Sequence, residues 1–236
     1  MPQHPSFPKH FGVLKIADLL ELDEIQAAFD SVPLDKYVEE GFRHKSLIRI
    51  CVRGRQVVLA EHGPLFQPKE YNPVHGDIVR DYPAMDEKLA VLLRPAMEIF
   101  ATVARLGEEH EILVQAQRIT ASSGNDGRTG FPVVEGWHRD NTTVLGILVV
   151  NRVNVSGGIS LLAHDERGSR LAFAQTLEPG DLVFVDDTVL WHNTTPIAKV
   201  RADAPAYRDV AILTWPSCRT PERALKERAD AVACTL

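Results

Sequence analysis

Apolar residues recur at three- or four-residue spacing from Val13 to Val32, at Leu14, Ile16, Leu19, Leu20, Leu22, Ile25, Ala28 and Phe29. That period predicts an amphipathic helix packed on something larger. Between Leu47 and Glu61 the pattern changes to alternation on either side of Gly54, as in two half-exposed strands joined by a tight turn. The helical period returns from Met85 to Leu106, where Leu89, Leu92, Leu93, Met97, Ile99, Phe100, Val103 and Leu106 make a wide apolar face. Pro95 lies inside this stretch and predicts a kink or a split, because its ring crowds the preceding turn and it has no N–H to donate.

After Gly107 short apolar runs separated by Gly, Pro, Asn and Asp continue to about residue 216, the punctuation of β structure. Strands are expected from Glu111 to Thr120, Thr142 to Asn151, Gly158 to His164, Asp181 to Val185, Val189 to Asn193 and Arg208 to Trp215. Val210, Ala211, Ile212 and Leu213 are apolar at consecutive positions, which requires both faces of that strand to be covered. A jelly roll with the earlier helices packed on one sheet supplies the cover. The fold class expected is therefore mostly β with α. The length suits one domain over residues 1–236, with a helical and hairpin support region (1–110), a jelly-roll core (111–216) and a polar tail (217–236).

Composition narrows the partners. A hydrophobic share of 44% and a charged share of 25% are ordinary for a globular protein. A formal net charge of −6 argues against nucleic acid or anionic lipid, which ask for a basic face, and leaves a small-molecule substrate. Cys51, Cys218 and Cys234 show no CxxC spacing and form no disulfide framework, which fits a reducing cytoplasm. Prolines interrupt the first residues where a signal peptide needs an apolar run, and no stretch of about eighteen apolar residues occurs, so no membrane partner is expected. A homodimer is compatible with everything above.

In Trp137-His138-Arg139-Asp140 the imidazole and carboxylate stand two residues apart, so on an extended backbone both point to one side and can share an ion. By itself such a pair is more often an ordinary surface pair. His192, in a segment launched by the turn Glu178-Pro179-Gly180-Asp181, supplies a third ligand. Two histidines and one carboxylate leave coordination positions open for a chelating cosubstrate and O2 at non-haem iron(II). Arg208 opens the apolar strand RDVAILTW. Its planar two-donor head suits the distal carboxylate of a dicarboxylic acid, the alternative being a salt bridge to Asp203 or Asp209. Arg118, on an expected strand, either grips a substrate carboxylate or closes a structural ion pair. Trp137 and Trp191 alternate away from the ligands and are expected in the core. The Asp186-Asp187 pair looks like a second carboxylate site, which a solvated turn between two strands explains as well, and Gly157-Gly158 reads as a turn without a phosphate-cradling helix.

The run Glu135 to Asp140, the turn Asn151 to Gly158, the segment Trp191 to Ile197 and Tyr207-Arg208-Asp209-Val210 resemble the 2-oxoglutarate-iron dioxygenase family that includes bacterial L-isoleucine 4-hydroxylase and related free amino acid hydroxylases. Phe66-Gln67, Tyr71-Asn72 and Gln117-Arg118-Ile119 extend the likeness from about residue 40 to 216. The resemblance implies a double-stranded β-helix, Fe(II) on His138, Asp140 and His192, and 2-oxoglutarate on Arg208. It implies hydroxylation of a small substrate, a free L-amino acid or close derivative, with O2 and decarboxylation of 2-oxoglutarate to succinate. Many such oxygenases carry a Ser or Thr two places after the arginine. Here that place is Val210, and the hydroxyl comes from Thr194, from Thr143, or is absent. Arg43, Tyr71 and Arg80 resemble family positions and join Arg118 as candidate substrate contacts. The competing readings are a cupin-like isomerase or binding module, which needs no fixed cation beside the metal, an oxygenase acting on a peptide or nucleic-acid base, and last a zinc hydrolase.

Overall fold

The structure, a computed structural model, describes residues 10–217 and 219, apart from 55, 71, 73, 75, 126 and 141. An antiparallel seven-stranded sheet runs in the order β1 (Phe11–Lys15), β10 (Asp181–Asp186), β6 (Val144–Val153), β13 (Tyr207–Trp215), β4 (Ile112–Thr120), β2 (Arg43–Arg53) and β3 (Gln56–Leu59). Two three-stranded sheets accompany it: β11 (Trp191–Thr194), β8 (Ile159–Ala163) and β9 (Leu171–Thr176), and β5 (Thr129–Gly130), β12 (Ile197–Lys199) and β7 (Val155–Gly157). This is the jelly roll that the alternation of short apolar runs predicts.

Period-2 alternation gives the large sheet two different faces. Ile48, Ile50, Val114, Ala116, Leu148, Val150, Leu182, Phe184, Ala211 and Leu213 point one way. There they pack under α1 (Leu22–Ala28), α2 (Glu87–Leu92) and α3 (Arg94–Val103), through Ile25, Leu89, Met97 and Phe100. The opposite face carries Leu145, Val149, Val183, Val185 and Val210, which meet Leu162 of β8. Covering both faces is what allows consecutive apolar residues in β13 and β10. Pro95 stands in the first turn of α3, where its missing N–H costs nothing, so the expected helix from Met85 is split in two.

The N-terminal expectation is corrected. Residues 11–15 form a strand, paired with β10 from Phe11↔Val185 to Lys15↔Asp181, and only seven residues of the stretch make an α-helix. Val13 and Leu14 are exposed; their role is to satisfy the hydrogen-bonding edge of β10, a demand that apolar spacing does not encode. The strands β5, β7 and β12, two or three residues long, were not expected because they are too short to show a pattern, and β9 was not expected either, although it carries the apolar run Leu171 to Ala174. The tail over 217–236 lies almost wholly outside the described residues. Among the described residues no helix is long and apolar enough to cross a membrane.

Helix and sheet approach closely at Gly146 of β6, where an added Cβ would stand 2.8 Å from Cδ2 of the buried Phe100 ring. Gly146→Ala is expected to destabilise the fold by about 1–3 kcal/mol through overpacking, measured by urea denaturation. An unchanged midpoint would show that α3 is not seated on this strand.

Candidate metal and cosubstrate site

His138 and His192 are cross-strand neighbours. The His138 N–H donates to the His192 carbonyl (3.1 Å) and the His192 N–H to the His138 carbonyl (2.9 Å), an isolated antiparallel bridge that ties the His138 segment to β11. Directly opposed residues project side by side, and the two imidazole centroids are 4.1 Å apart. Asp140, two residues after His138, turns to the same side. Its Oδ1 lies 3.7 Å from His138 Nε2 and its Oδ2 3.5 Å from His192 Nε2. One ligand atom from each of the three residues falls within 4.8 Å of the others. The His138 Nδ1–H donates to the Gly136 carbonyl at 2.9 Å, which leaves the Nε2 lone pair facing the shared point.

Two further groups hold these ligands. Asp187 Oδ2 accepts from the Asp140 N–H (2.9 Å), the Thr142 N–H (3.0 Å) and the Thr142 hydroxyl (2.9 Å). Its Oδ1 stands 3.3 Å from His192 Nδ1, at ion-pair distance without hydrogen-bond alignment. Asp187 is therefore a buried orienting carboxylate, and of the two readings its sequence allowed the solvated turn falls away. Burial alone would lower the His192 pKa, but Asp140 and Asp187 outweigh it and bring it up to about 10. From the other side Gln67 Nε2 donates to Asp140 Oδ1 at 2.9 Å, and Gln67 Oε1 accepts from Arg80 Nη2 (2.5 Å) and Asn72 Nδ2 (3.2 Å).

The triad opens into a cavity whose wall, among the described residues, carries Arg43, Lys45, Arg80 and Arg208 against Asp140 and Glu135. Arg208 is buried, with Nε and Nη2 lacking a hydrogen-bond partner among the described residues. Burial, reinforced by the neighbouring Arg152, pushes its guanidinium down to about 10. A buried cation in that condition needs an anion. The register explains the neighbour. Arg208 pairs with Arg152, but Val210 pairs with Val149, so Val150 is an extra residue. This β-bulge swings Arg152 to the Arg208 side of the sheet. Gly158, at φ +66°, lets the backbone pass close by, since a Cβ there would meet Arg152 Nη1 at 3.0 Å and Arg208 Cδ at 3.3 Å.

The remaining sequence-based candidates separate by strand face. Arg43, Arg80 and Thr194 line the cavity. Thr143 is buried but not part of that lining; its N–H donates to the Trp215 carbonyl and its carbonyl accepts from Asp187. Arg118 faces the helices, where Nε and Nη2 donate to Asp209 (2.7 and 2.9 Å) and Nη1 to Asp30 (2.7 Å). It closes ion pairs with Asp209 and Asp30 and is not part of the cavity lining. Trp137 and Trp191 are half-buried rather than core: Trp137 lies against Gly168, and Arg139 stacks over Trp191 at 4.7 Å. Tyr71 lies outside the described residues. Sequence reasoning passed over Lys45, although alternation from Arg43 puts it on the same face.

The donor set and the uncompensated cation fit an iron ion with a dicarboxylate beside it, and comparison with known proteins agrees. The chain is 26% identical over 208 residues to 3(1)-hydroxy-L-isoleucine 4-dioxygenase of Pantoea ananatis (strain AJ13355), covering 83% of this chain and 81% of that protein. A BsmA homologue from Methylobium petroleophilum PM1 superposes with a TM-score of 0.70 at 25% identity, over 87% of this chain and 88% of that one. IDO from Bacillus thuringiensis shares the fold at a TM-score of 0.67 and 16% identity, over 88% and 89% of the two chains. Residues 26–214 match the 2OG-Fe dioxygenases, and the chain belongs to that family as a 2-oxoglutarate-dependent dioxygenase using Fe(II).

Proposed function

We propose that this dioxygenase hydroxylates a free L-amino acid or a close derivative, with iron on His138, Asp140 and His192 and the distal carboxylate of 2-oxoglutarate on Arg208. The observation that carries the reading is the buried Arg208 guanidinium, with two unpartnered donors, in the same cavity as the three ligands. The substrate class is supported by the relative from Pantoea ananatis, whose name specifies a hydroxylated L-isoleucine. Bound iron and 2-oxoglutarate supply the oxidising chemistry that activates O2, yielding succinate and CO2. The protein supplies position and environment. Asp187 and Gln67 fix the ligands, and Leu145, Ile147, Val210 and Ile212 give the cavity an apolar side that limits water near the reacting C–H bond.

Of the two hydroxyls offered for the cosubstrate, Thr194 is favoured, because it lines the cavity and Thr143 does not. A cupin-like isomerase or binding module has no use for a fixed buried cation beside its metal, so Arg208 weighs against that alternative. The enzyme acts in the cytoplasm, as a single domain, on a small molecule and O2. Nucleic acid and membrane are not partners, and a homodimer is compatible with this reading.

Iron(II) and 2-oxoglutarate added without oxygen should produce the visible charge-transfer absorption of the chelate, and a panel of free L-amino acids should then contain members that raise succinate formation. No absorption would end the ligand assignment; no stimulation by any amino acid would end the substrate assignment. His192→Ala and Asp140→Ala are each expected to abolish turnover, and full activity in either would contradict the triad. Arg208→Ala is expected to raise the KM for 2-oxoglutarate about tenfold to over a hundredfold, from loss of roughly 1.5–3 kcal/mol of charge-assisted pairing. An unchanged KM would mean that another cation holds the cosubstrate. Asp187→Asn and Gln67→Leu should each weaken iron binding by about 10- to 100-fold, read by equilibrium dialysis, whereas wild-type affinity would remove them from the support of the site.

A further inference from the structure

The large sheet presents its cavity-facing side chains in rows across three strands. Arg208 of β13, Ile119 of β4 and Arg43 of β2 are in one row; Val210, Gln117 and Lys45 are in the next. Arg208 and the Arg43–Lys45 pair are thus two strands apart, about 10 Å at the backbone, on opposite sides of β4. A single small carboxylate on Arg208 leaves the second group of cations uncovered.

That second group is short of acceptors. Lys45 is 7% exposed, and its Nζ stands 4.9 Å above the Tyr82 ring, with no hydrogen bond or ion pair to a carboxylate among the described residues. Arg43 donates from Nε to Asp35 at 2.6 Å, but its Nη2 is buried without a partner. Arg80 spends Nη2 on Gln67 and has a buried, unpartnered Nε. Asp35 balances one of these three cations. Asp140 belongs to the metal and Glu135 is the other acid on this wall among the described residues, so the basic groups outnumber the acids left to them, in a chain whose net charge is −6.

We infer that Lys45, flanked by Arg43 and Arg80, is the anchor of a second anion site across β4 from Arg208, and that this site takes the free carboxylate of the substrate. The inference rests on the amino acid hydroxylase reading for the word substrate, but the anion site itself rests on the unpaired donors. It narrows the substrate class to molecules with a free carboxylate and refuses their amides and esters. Burial first, then repulsion from Arg43 and Arg80, pushes the Lys45 ammonium down to about 7. An incoming carboxylate relieves that repulsion, so the wall is arranged to gain more from an anion than an exposed lysine would. Lys45 touches substrate in this assignment and sets specificity.

The test uses the protein carrying zinc in place of iron, saturated with 2-oxoglutarate so that Arg208 is occupied. Isobutyrate and isobutyramide, which match in shape and differ in charge, are titrated and followed by ligand-observed NMR. Isobutyrate should bind and isobutyramide should not, a comparison that needs no variant. Lys45→Met should weaken isobutyrate at least about tenfold with 2-oxoglutarate affinity unchanged, and Lys45→Arg should restore most of the loss. Equal binding of the two probes, an unaltered isobutyrate affinity in Lys45→Met, or a loss of 2-oxoglutarate affinity instead would each overturn the assignment. If the probes behave as expected while no L-amino acid raises succinate formation, the anion site stands and the amino acid reading falls.

Discussion

Two main-chain hydrogen bonds, exchanged between His138 and His192, govern the rest of this site. Because they fix two backbones face to face, the two imidazoles are adjacent before any ion arrives, and strand alternation brings Asp140 to them from two residues on. The geometry is therefore a property of strand pairing, with side-chain rotamers left to Asp187 and Gln67. Metal sites made this way keep their shape at low entropic cost, since the ordering has already been done by the sheet.

The same sheet separates charges by face. Arg118 and Asp209 are directly paired across β4 and β13 on the helix side and neutralise one another at 2.7 and 2.9 Å. One residue away, on the cavity side, Arg208 has no such partner. Burying an uncompensated guanidinium costs stability, a cost that falls on the apolar packing of the rest of the fold. Structural and ligand-binding arginines thus coexist on neighbouring strands without competing for the same acids.

Much of this was legible in the sequence because period-2 patterns report directly on strand faces. The helical split at Pro95, the hairpin about Gly54, the jelly-roll class and the meeting of His138, Asp140 and His192 all follow from spacing and turn chemistry. What was hidden depends on relations between distant segments. An edge strand at Phe11–Lys15 exists to complete β10, and nothing in its own residues says so. Asp187 looks like a turn acid until Thr142 and Asp140 are folded over it. Arg118 and Arg208 are the same residue type on expected strands, and only register tells which one faces the helices. Lys45 was within reach of the alternation argument through Arg43, but a lysine in a charged run reads as solvent-facing.

The bulge at Val150 shows how this architecture handles change. Below it, residues 145, 147 and 149 of β6 face inward; above it the parity reverses, and 152 takes the inward position. Point replacements on that strand alter what is presented to the ligand end while leaving its orientation alone. Loss of the one extra residue would instead rotate the whole outer segment by half a turn and trade Arg152 for its neighbours, so in this scaffold a change of length is a larger chemical step than a change of letter.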